Sequence, residues 1–193
     1  VQASTGGAVG MTPDERLDSL RSKPEMATLT CGTVNFGDEV FENSWPMIEI
    51  FARRMAELGV RPEFEIFDAG HMATAERLVR LGLVQGHLHY DFVLGVPGAL
   101  PATVSNLVWL SERLPQGATW TVAGVGRHEL PLATAAILLD GNVRVGFEDN
   151  IFYKKGELAT SNAQLVARIV RLAEELGRPV ATPDEARVIL GLA

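Results

Sequence analysis

Apolar and polar positions alternate along the chain in two rhythms. Short runs that are solidly apolar, or apolar at every second residue, read as strands; longer stretches apolar every third or fourth residue read as helices. Strands are predicted over Val1–Thr5, Met26–Thr30, Glu63–Phe67, Tyr90–Val96, Thr119–Ala123 and Val143–Phe147. Between them the helical rhythm covers Pro46–Leu58, Ala73–Leu81, Thr103–Arg113, Leu130–Leu139 and Ala163–Leu176. Thr12-Pro13-Asp14-Glu15 and Thr182-Pro183-Asp184-Glu185 open two further helices, each with a capping threonine, an early proline and a glutamate three residues on. The first of these should stop before Pro24, Gly59 and Gly82 should close two others, and Cys31 to Asn43 reads as a loop.

Six strands, each followed by a helix, imply a parallel sheet. An open doubly wound sheet and a (β/α)8 barrel lacking its first two units both have this rhythm. A full barrel runs to about 250 residues, so 193 leaves room for a loss of that size. Polar residues recur on single strand faces: Gln2 and Ser4, Thr28 and Thr30, Glu63 and Glu65, Arg144 and Glu148. A doubly wound sheet is buried on both faces and tolerates these badly. A barrel with a polar upper interior accepts them, so the barrel is preferred: a single domain over 1–193, made of about strands 3–8. Gly124-Val125-Gly126-Arg127-His128-Glu129 lacks the third glycine of a dinucleotide fingerprint.

The last strand ends in charge. If Val143–Phe147 is extended, Arg144, Gly146 and Glu148 share the inner face, with Asp149 at the strand end. Buried charges are costly unless they are paired or bind a ligand or metal. The choice is between an Arg144–Glu148 pair that only fixes the fold and a working site.

Composition removes several classes. A net charge of −7 with no basic run speaks against nucleic acid. No apolar run approaches a membrane span. Cys31 is the one cysteine, which excludes an internal disulfide and fits a reducing cytoplasm. The chain starts at Val1, straight into a strand, and reads as a fragment whose natural N-terminal part is absent.

Ser4-Thr5-Gly6-Gly7, Lys23-Pro24-Glu25-Met26-Ala27-Thr28-Leu29, Gly32-Thr33-Val34-Asn35-Phe36 and Pro62-Glu63-Phe64-Glu65-Ile66-Phe67-Asp68 share one resemblance. Phe92-Val93-Leu94-Gly95-Val96, Pro101-Ala102-Thr103 and Val143-Arg144-Val145-Gly146-Phe147-Glu148-Asp149-Asn150 continue it, in order, along nearly the whole chain. In these motifs the sequence resembles the β-keto acid cleavage enzymes, whose founding activity is the 3-keto-5-aminohexanoate cleavage of lysine fermentation.

The resemblance implies a zinc-dependent (β/α)8 barrel that reacts a β-keto acid with acetyl-CoA, giving acetoacetate and a new acyl-CoA. It implies that Glu148 is a zinc ligand beside an early His-x-His pair, which this chain does not contain. It makes Asp149 the base and Arg144 its partner, whose charge should keep Asp149 ionised. Ser4 and Thr28 match the residues that assist the substrate, with Thr30 a rival for the second. Glu65 matches the carboxylate that meets an amino group on the substrate, and should point up the barrel above Glu63. A homo-oligomer, a tetramer, is implied as well. Before the last strand the chain reads Leu139-Asp140-Gly141-Asn142, where the family more often has Gly-Gly-His.

The residue types suit that chemistry. Breaking a bond beside a ketone needs an electrophile on its oxygen, and making the carbon nucleophile needs a nearby base. Two other readings share the residues: an inactive partial barrel or gene fragment acting as an interaction module, and a metal-dependent aldolase or lyase that works without CoA. His87 and His89 should sit at the stability end of the barrel. His71 is a candidate rim contact, and Arg127 with His128 a candidate phosphate contact. Cys31 and the tryptophans Trp45, Trp109 and Trp120 read as packing residues, and Lys154 and Lys155 as a solvated loop.

Overall fold

The computed structural model describes all 193 residues. Strand β1 (Gln2–Ala3) is followed by helix α1 (Pro13–Leu17), which continues as a 3-10 turn over Asp18–Ser22. Both halves of the Thr12/Glu15 capping box form. Next come β2 (Met26–Thr30), a small hairpin of β3 (Val34–Phe36) and β4 (Glu39–Phe41), and α2 (Trp45–Leu58), which ends at the left-handed Gly59. Then follow β5 (Arg61–Ile66), α3 (Ala69–Arg80), β6 (His89–Leu94), α4 (Val104–Ser111), β7 (Thr119–Gly124) and α5 (Glu129–Leu138). The chain finishes with β8 (Asn142–Arg144), a second hairpin of β9 (Phe152–Lys154) and β10 (Glu157–Leu158), then α6 (Asn162–Glu175) and α7 (Pro183–Ile189). No helix is long and apolar enough to cross a membrane.

Six strands form one sheet in the order β1-β2-β5-β6-β7-β8, every neighbouring pair parallel. The order never reverses, so the doubly wound alternative is excluded: such a sheet needs a switch point. The sheet is curled. Arg144 on β8 comes within 3.5 Å of Glu65 on β5, three strand positions away. On a flat sheet those backbones would lie roughly 14 Å apart. The result is an open half-barrel.

Register explains why the curl is stable. Thr28 pairs with Glu63, Glu63 with His89, and His89 with Thr119; one step up, Thr30 pairs with Glu65, Glu65 with Asp91, and Asp91 with Thr121. These residues all face the concave side. The alternate residues Ala27, Leu29, Phe64, Ile66, Tyr90, Phe92, Trp120 and Val122 face outward into the main core beneath the helices. A smaller core of Val34, Phe41, Phe67, Val93, Val96 and Ala123 seats the β3–β4 hairpin on the C-terminal end of the strands. The opposite, N-terminal end is covered by α7. Its Arg187 binds Glu25 at 2.6 Å, and Arg61 donates to the Gly191 carbonyl at 2.9 Å.

Several expected elements shift. The first strand shortens to two residues, because Thr5 turns its amide and hydroxyl to Thr28. The Cys31–Asn43 loop contains the β3–β4 hairpin. Helix α3 starts at Ala69, four residues before the expected Ala73, because the Asp68 carboxylate caps Gly70. Strand β6 takes in His89, so that histidine lies inside the half-barrel rather than before the strand. Lys154 belongs to the β9–β10 hairpin, where it pairs with Glu157 at 2.9 Å, so the loop reading there is corrected. Trp120 is core, but Trp109 is 39% exposed with Arg113 stacked on it, and Trp45 carries Arg77.

Candidate active site

Arg144 ends β8 and points across the mouth of the half-barrel at the C-terminal end of the strands, where parallel α/β sheets place their ligands. Its Nε donates to Asp149 Oδ2 at 3.0 Å and its Nη2 to Asp149 Oδ1 at 3.1 Å, a two-pronged pair. Nη1 donates to Asp91 Oδ2 at 3.1 Å and lies 3.5 Å from Glu65. Nη2 also lies 3.2 Å from Glu148. One guanidinium therefore gathers four carboxylates, from β5, β6 and the turn after β8.

The expected strand Val143–Phe147 ends at Arg144 instead. Beyond it the chain turns, with the amides of Asp149 and Asn150 both donating to the Gly146 carbonyl, at 3.1 and 2.9 Å. Arg144 and Glu148 thus meet across a turn rather than along the inner row of a strand. The turn leaves the Glu148 side chain 80% exposed while Asp149 is folded inward to 7%.

Burial sets the electrostatics. It raises the carboxyls of Glu65, Asp91 and Asp149 above their ordinary range. For Asp91 the displacement is large, and repulsion from Glu63 adds to it. For Glu65 the Thr30 hydrogen bond and Arg144 pull back, without overturning burial. Asp149 also moves upward, although Arg144 opposes it. Desolvation is the larger effect on Asp149, and the Arg144 pair offsets only part of it. Burial opposes the charge of Arg144 too, but the surrounding carboxylates fix it firmly as a cation. A carboxylate whose pKa is raised is a stronger base than an ordinary one.

Two hydroxyls stand at the other edge of the sheet, Thr28 on β2 and Ser4 just past β1. Thr28 Oγ1 accepts from the Thr5 amide at 3.0 Å, and Ser4 Oγ accepts from the Gly6 amide at 3.0 Å. Each hydroxyl is oriented as an acceptor there and keeps its proton to give. Thr30, the rival of Thr28, spends its proton on Glu65 at 2.6 Å. Ser4, Thr28, Asp91 and Arg144 line one cavity of about 490 Å³, whose floor is Gln2, Glu63 and His89. Glu65 is not at that wall. It is 7% exposed and held by Thr30, with Arg144 beside it, so it does not stand free above Glu63.

Zinc needs three protein ligands and an open position to act on a substrate. These residues offer one exposed carboxylate at the site, Glu148, itself paired with Arg144, and no three His, Cys, Asp or Glu side chains come together in a metal-holding group. The residues present do not by themselves fit a zinc ion, and no step is derived through one.

Of the remaining candidates only His89 borders the cavity, on its floor. His71 is buried against Phe67, accepting the Phe67 amide at 3.2 Å, and burial lowers its pKa. His87 and His89 share the Thr119 hydroxyl at 2.8 Å each, and His89 also meets Glu63 at 3.1 Å: the floor network a stabilising role requires. Arg127 donates to His128 at 3.2 Å. Cys31 is buried, and burial raises its thiol well above the ordinary value, which leaves no thiolate for attack.

Sequence reasoning passed over Asp91, Arg16 and Glu129. Asp91 was legible: it stands between Tyr90 and Phe92, an acid on the inner row of an apolar strand. Arg16 is buried and ties the Thr5 carbonyl at 2.7 Å to the Asn43 side chain at 2.7 Å, flanked by Phe41 and Phe51. No local signal marks it, because its partners are distant in sequence.

A family profile described as beta-keto acid cleavage enzyme matches residues 1–192. A 3-keto-5-aminohexanoate cleavage enzyme of Fusobacterium nucleatum subsp. nucleatum is 55% identical over 193 residues, covering all of this chain and 70% of that protein. A 3-oxoadipate:acetyl-CoA acetyltransferase of Cupriavidus necator is 40% identical over 194 residues, covering 99% of this chain and 68% of that protein. Among solved structures, a chain from the binary complex of ObcA with oxaloacetate superposes with a TM-score of 0.76 at 18% identity. It covers 98% of this chain and 52% of that one, a likeness of fold.

Proposed function

The chain belongs to the beta-keto acid cleavage enzyme family, and from that premise we propose that it serves an acetyl-CoA-dependent cleavage of a β-keto acid, yielding acetoacetate and a new acyl-CoA. The names of the relatives support this: one is a cleavage enzyme for an amino-bearing keto acid, the other an acetyl-CoA acetyltransferase. The observation that carries it is the two-pronged Arg144–Asp149 pair, at 3.0 and 3.1 Å, whose arginine lines one cavity with Ser4 and Thr28.

In this reading Asp149 takes the proton from the carbon between the ketone and the carboxylate of the substrate. Arg144 holds Asp149 in place and offers positive charge to the carboxylate. Ser4 and Thr28 donate their free hydroxyl protons to substrate oxygens. The carbanion attacks the acetyl thioester, a carbon–carbon bond forms and CoA thiolate leaves. The thiolate then adds to the original ketone, the older carbon–carbon bond breaks, and Asp149 returns its proton to the departing acetoacetate carbon. To meet a cationic substrate such as 3-keto-5-aminohexanoate, the acid of lysine fermentation, Glu65 would have to release Thr30 and turn toward the cavity, whose wall it does not form.

The same reading takes the six strands as about strands 3–8 of a (β/α)8 barrel forming a single domain over 1–193. It includes a cytoplasmic homo-oligomer, a tetramer. Zinc enters it only through Glu148, the one side chain here that the family resemblance makes a ligand. Metal analysis of the purified protein by mass spectrometry tests that directly.

The deciding assay incubates the protein with acetyl-CoA and a panel of β-keto acids and follows both products. Paired release of acetoacetate and a new acyl-CoA is expected. Cleavage without an acyl acceptor would favour the lyase reading. No product from any acid would leave the interaction-module reading.

A further inference from the structure

The turn that carries Glu148 and Asp149 is gripped from outside the site. Glu129, the first residue of α5, is 1% exposed. Its Oε2 accepts from the Gly146 amide at 3.3 Å, and its Oε1 from Asn150 Nδ2 at 3.0 Å. One carboxylate therefore brackets the turn, binding the residue that opens it and the residue that closes it. Arg168 of α6, also buried, approaches the same Oε1 at 3.4 Å, and it stacks on Tyr153 of the β9–β10 hairpin. The Gly126 amide, three residues before Glu129, donates to the Asp149 carbonyl at 2.7 Å.

We propose that Glu129 is a positioning residue: it sets the 146–150 turn so that Asp149 faces Arg144 and Glu148 faces outward, and it acts on the reaction through Asp149. This rests on the reading of Asp149 as the base. The argument is geometric. A five-residue turn leaving an edge strand has many conformations of similar energy, and fixing each backbone costs about 1–2 kcal/mol. Hydrogen bonds within the turn close its backbone but do not fix its tilt relative to the sheet. A carboxylate anchored on a helix, bonded to both ends, does. Catalytic groups misplaced by about 1 Å lose on the order of 100-fold in rate, so the grip should be visible in turnover. The competing account is that Glu129 only neutralises buried Arg168.

Two substitutions separate these accounts. Glu129→Asp keeps the charge for Arg168 but withdraws the carboxylate by one methylene, out of reach of Gly146. Glu129→Gln keeps the length and loses the charge. Positioning predicts that both lower kcat at least tenfold, with KM for acetyl-CoA within twofold. Neither should slow Asp149→Asn further when combined with it. Amide exchange of 145–152 should quicken at least tenfold in both variants, with α4 unchanged. A Glu129→Asp variant with wild-type kcat would overturn the proposal, as would losses that multiply with Asp149→Asn. Unchanged exchange over 145–152 would overturn the grip itself. Quickened exchange in a protein that turns over no β-keto acid would instead refute the role given to Asp149, and with it any effect on rate.

Discussion

Arg144→Lys is the most exacting test of the charge cluster. Arginine serves two carboxylates at once: two bonds to Asp149 and one to Asp91, at 3.0, 3.1 and 3.1 Å. A lysine ammonium is a single point on a flexible stem and cannot reproduce the fork. It can face Asp149 or Asp91, not both. Charge-assisted bonds contribute ~1.5–3 kcal/mol each, and leaving a buried acceptor unpaired costs ~1–3 kcal/mol. Two bonds are lost and part of the Coulomb attraction is kept. The Arg144 side chain is 26% exposed, which argues for the lower end. A loss of about 2–3 kcal/mol is expected, or a fall in Tm of roughly 4–12 °C for a chain of this size. The pH dependence has a definite sign. Asp91, Asp149 and Glu65 are raised in the folded state, so they neutralise as pH falls through those raised values and no longer need the cation. The deficit of Arg144→Lys should therefore be larger at pH 7.5 than at pH 5. Thermal melts of wild type, Arg144→Lys, Asp149→Asn and the double variant would measure it. A Tm within 1 °C of wild type, or an equal loss in the Asp149→Asn background, would show that the fork does not hold this end of the sheet.

Three further outcomes follow from the same physics. Asp91→Asn should raise Tm, and more at pH 7.5 than at pH 5, because Asp91 is fully buried, its Oδ1 has no partner and a carboxyl raised in the folded state costs more stability as pH climbs above its unfolded value; melts at the two pH values check it, and a lower Tm at pH 7.5 would show that the Arg144 pair outweighs desolvation. Gly141→Ala should cost about 1–3 kcal/mol, since a Cβ there would collide with the Trp120 ring; urea unfolding monitored by tryptophan fluorescence reads both the loss and the displaced indole. Glu65→Gln should raise KM for a cationic β-keto acid several-fold and spare a neutral one; equal effects on both would assign Glu65, already held by Thr30, to support of the fold.

The strand–helix rhythm, five of the seven helices near their observed bounds and all six sheet strands were legible in the sequence, because local periodicity and caps decide them. So was the polar inner face: Thr28, Thr30, Glu63 and Glu65 alternate with Ala27, Leu29, Phe64 and Ile66, and strand geometry alone places them on opposite sides. The ordered motifs pointed to Ser4, Thr28 and Arg144, which line one cavity, and to Asp149, which pairs with Arg144. What no local pattern could give was which charges share the same space. Asp91 joins Arg144 across 53 residues, and Glu129 reaches Asn150 across 21, because curl and helix packing bring them together. Extending the last strand through Glu148 failed for the same reason: the backbone beyond Arg144 is bent by bonds to Gly146 and to Glu129, and Glu129 lies on another element. The direction of the Asp149 shift was likewise set by burial, which is a property of the assembled fold. The family resemblance named candidate reacting groups; only the tertiary structure decided how they are paired, how dry they are, and what holds them.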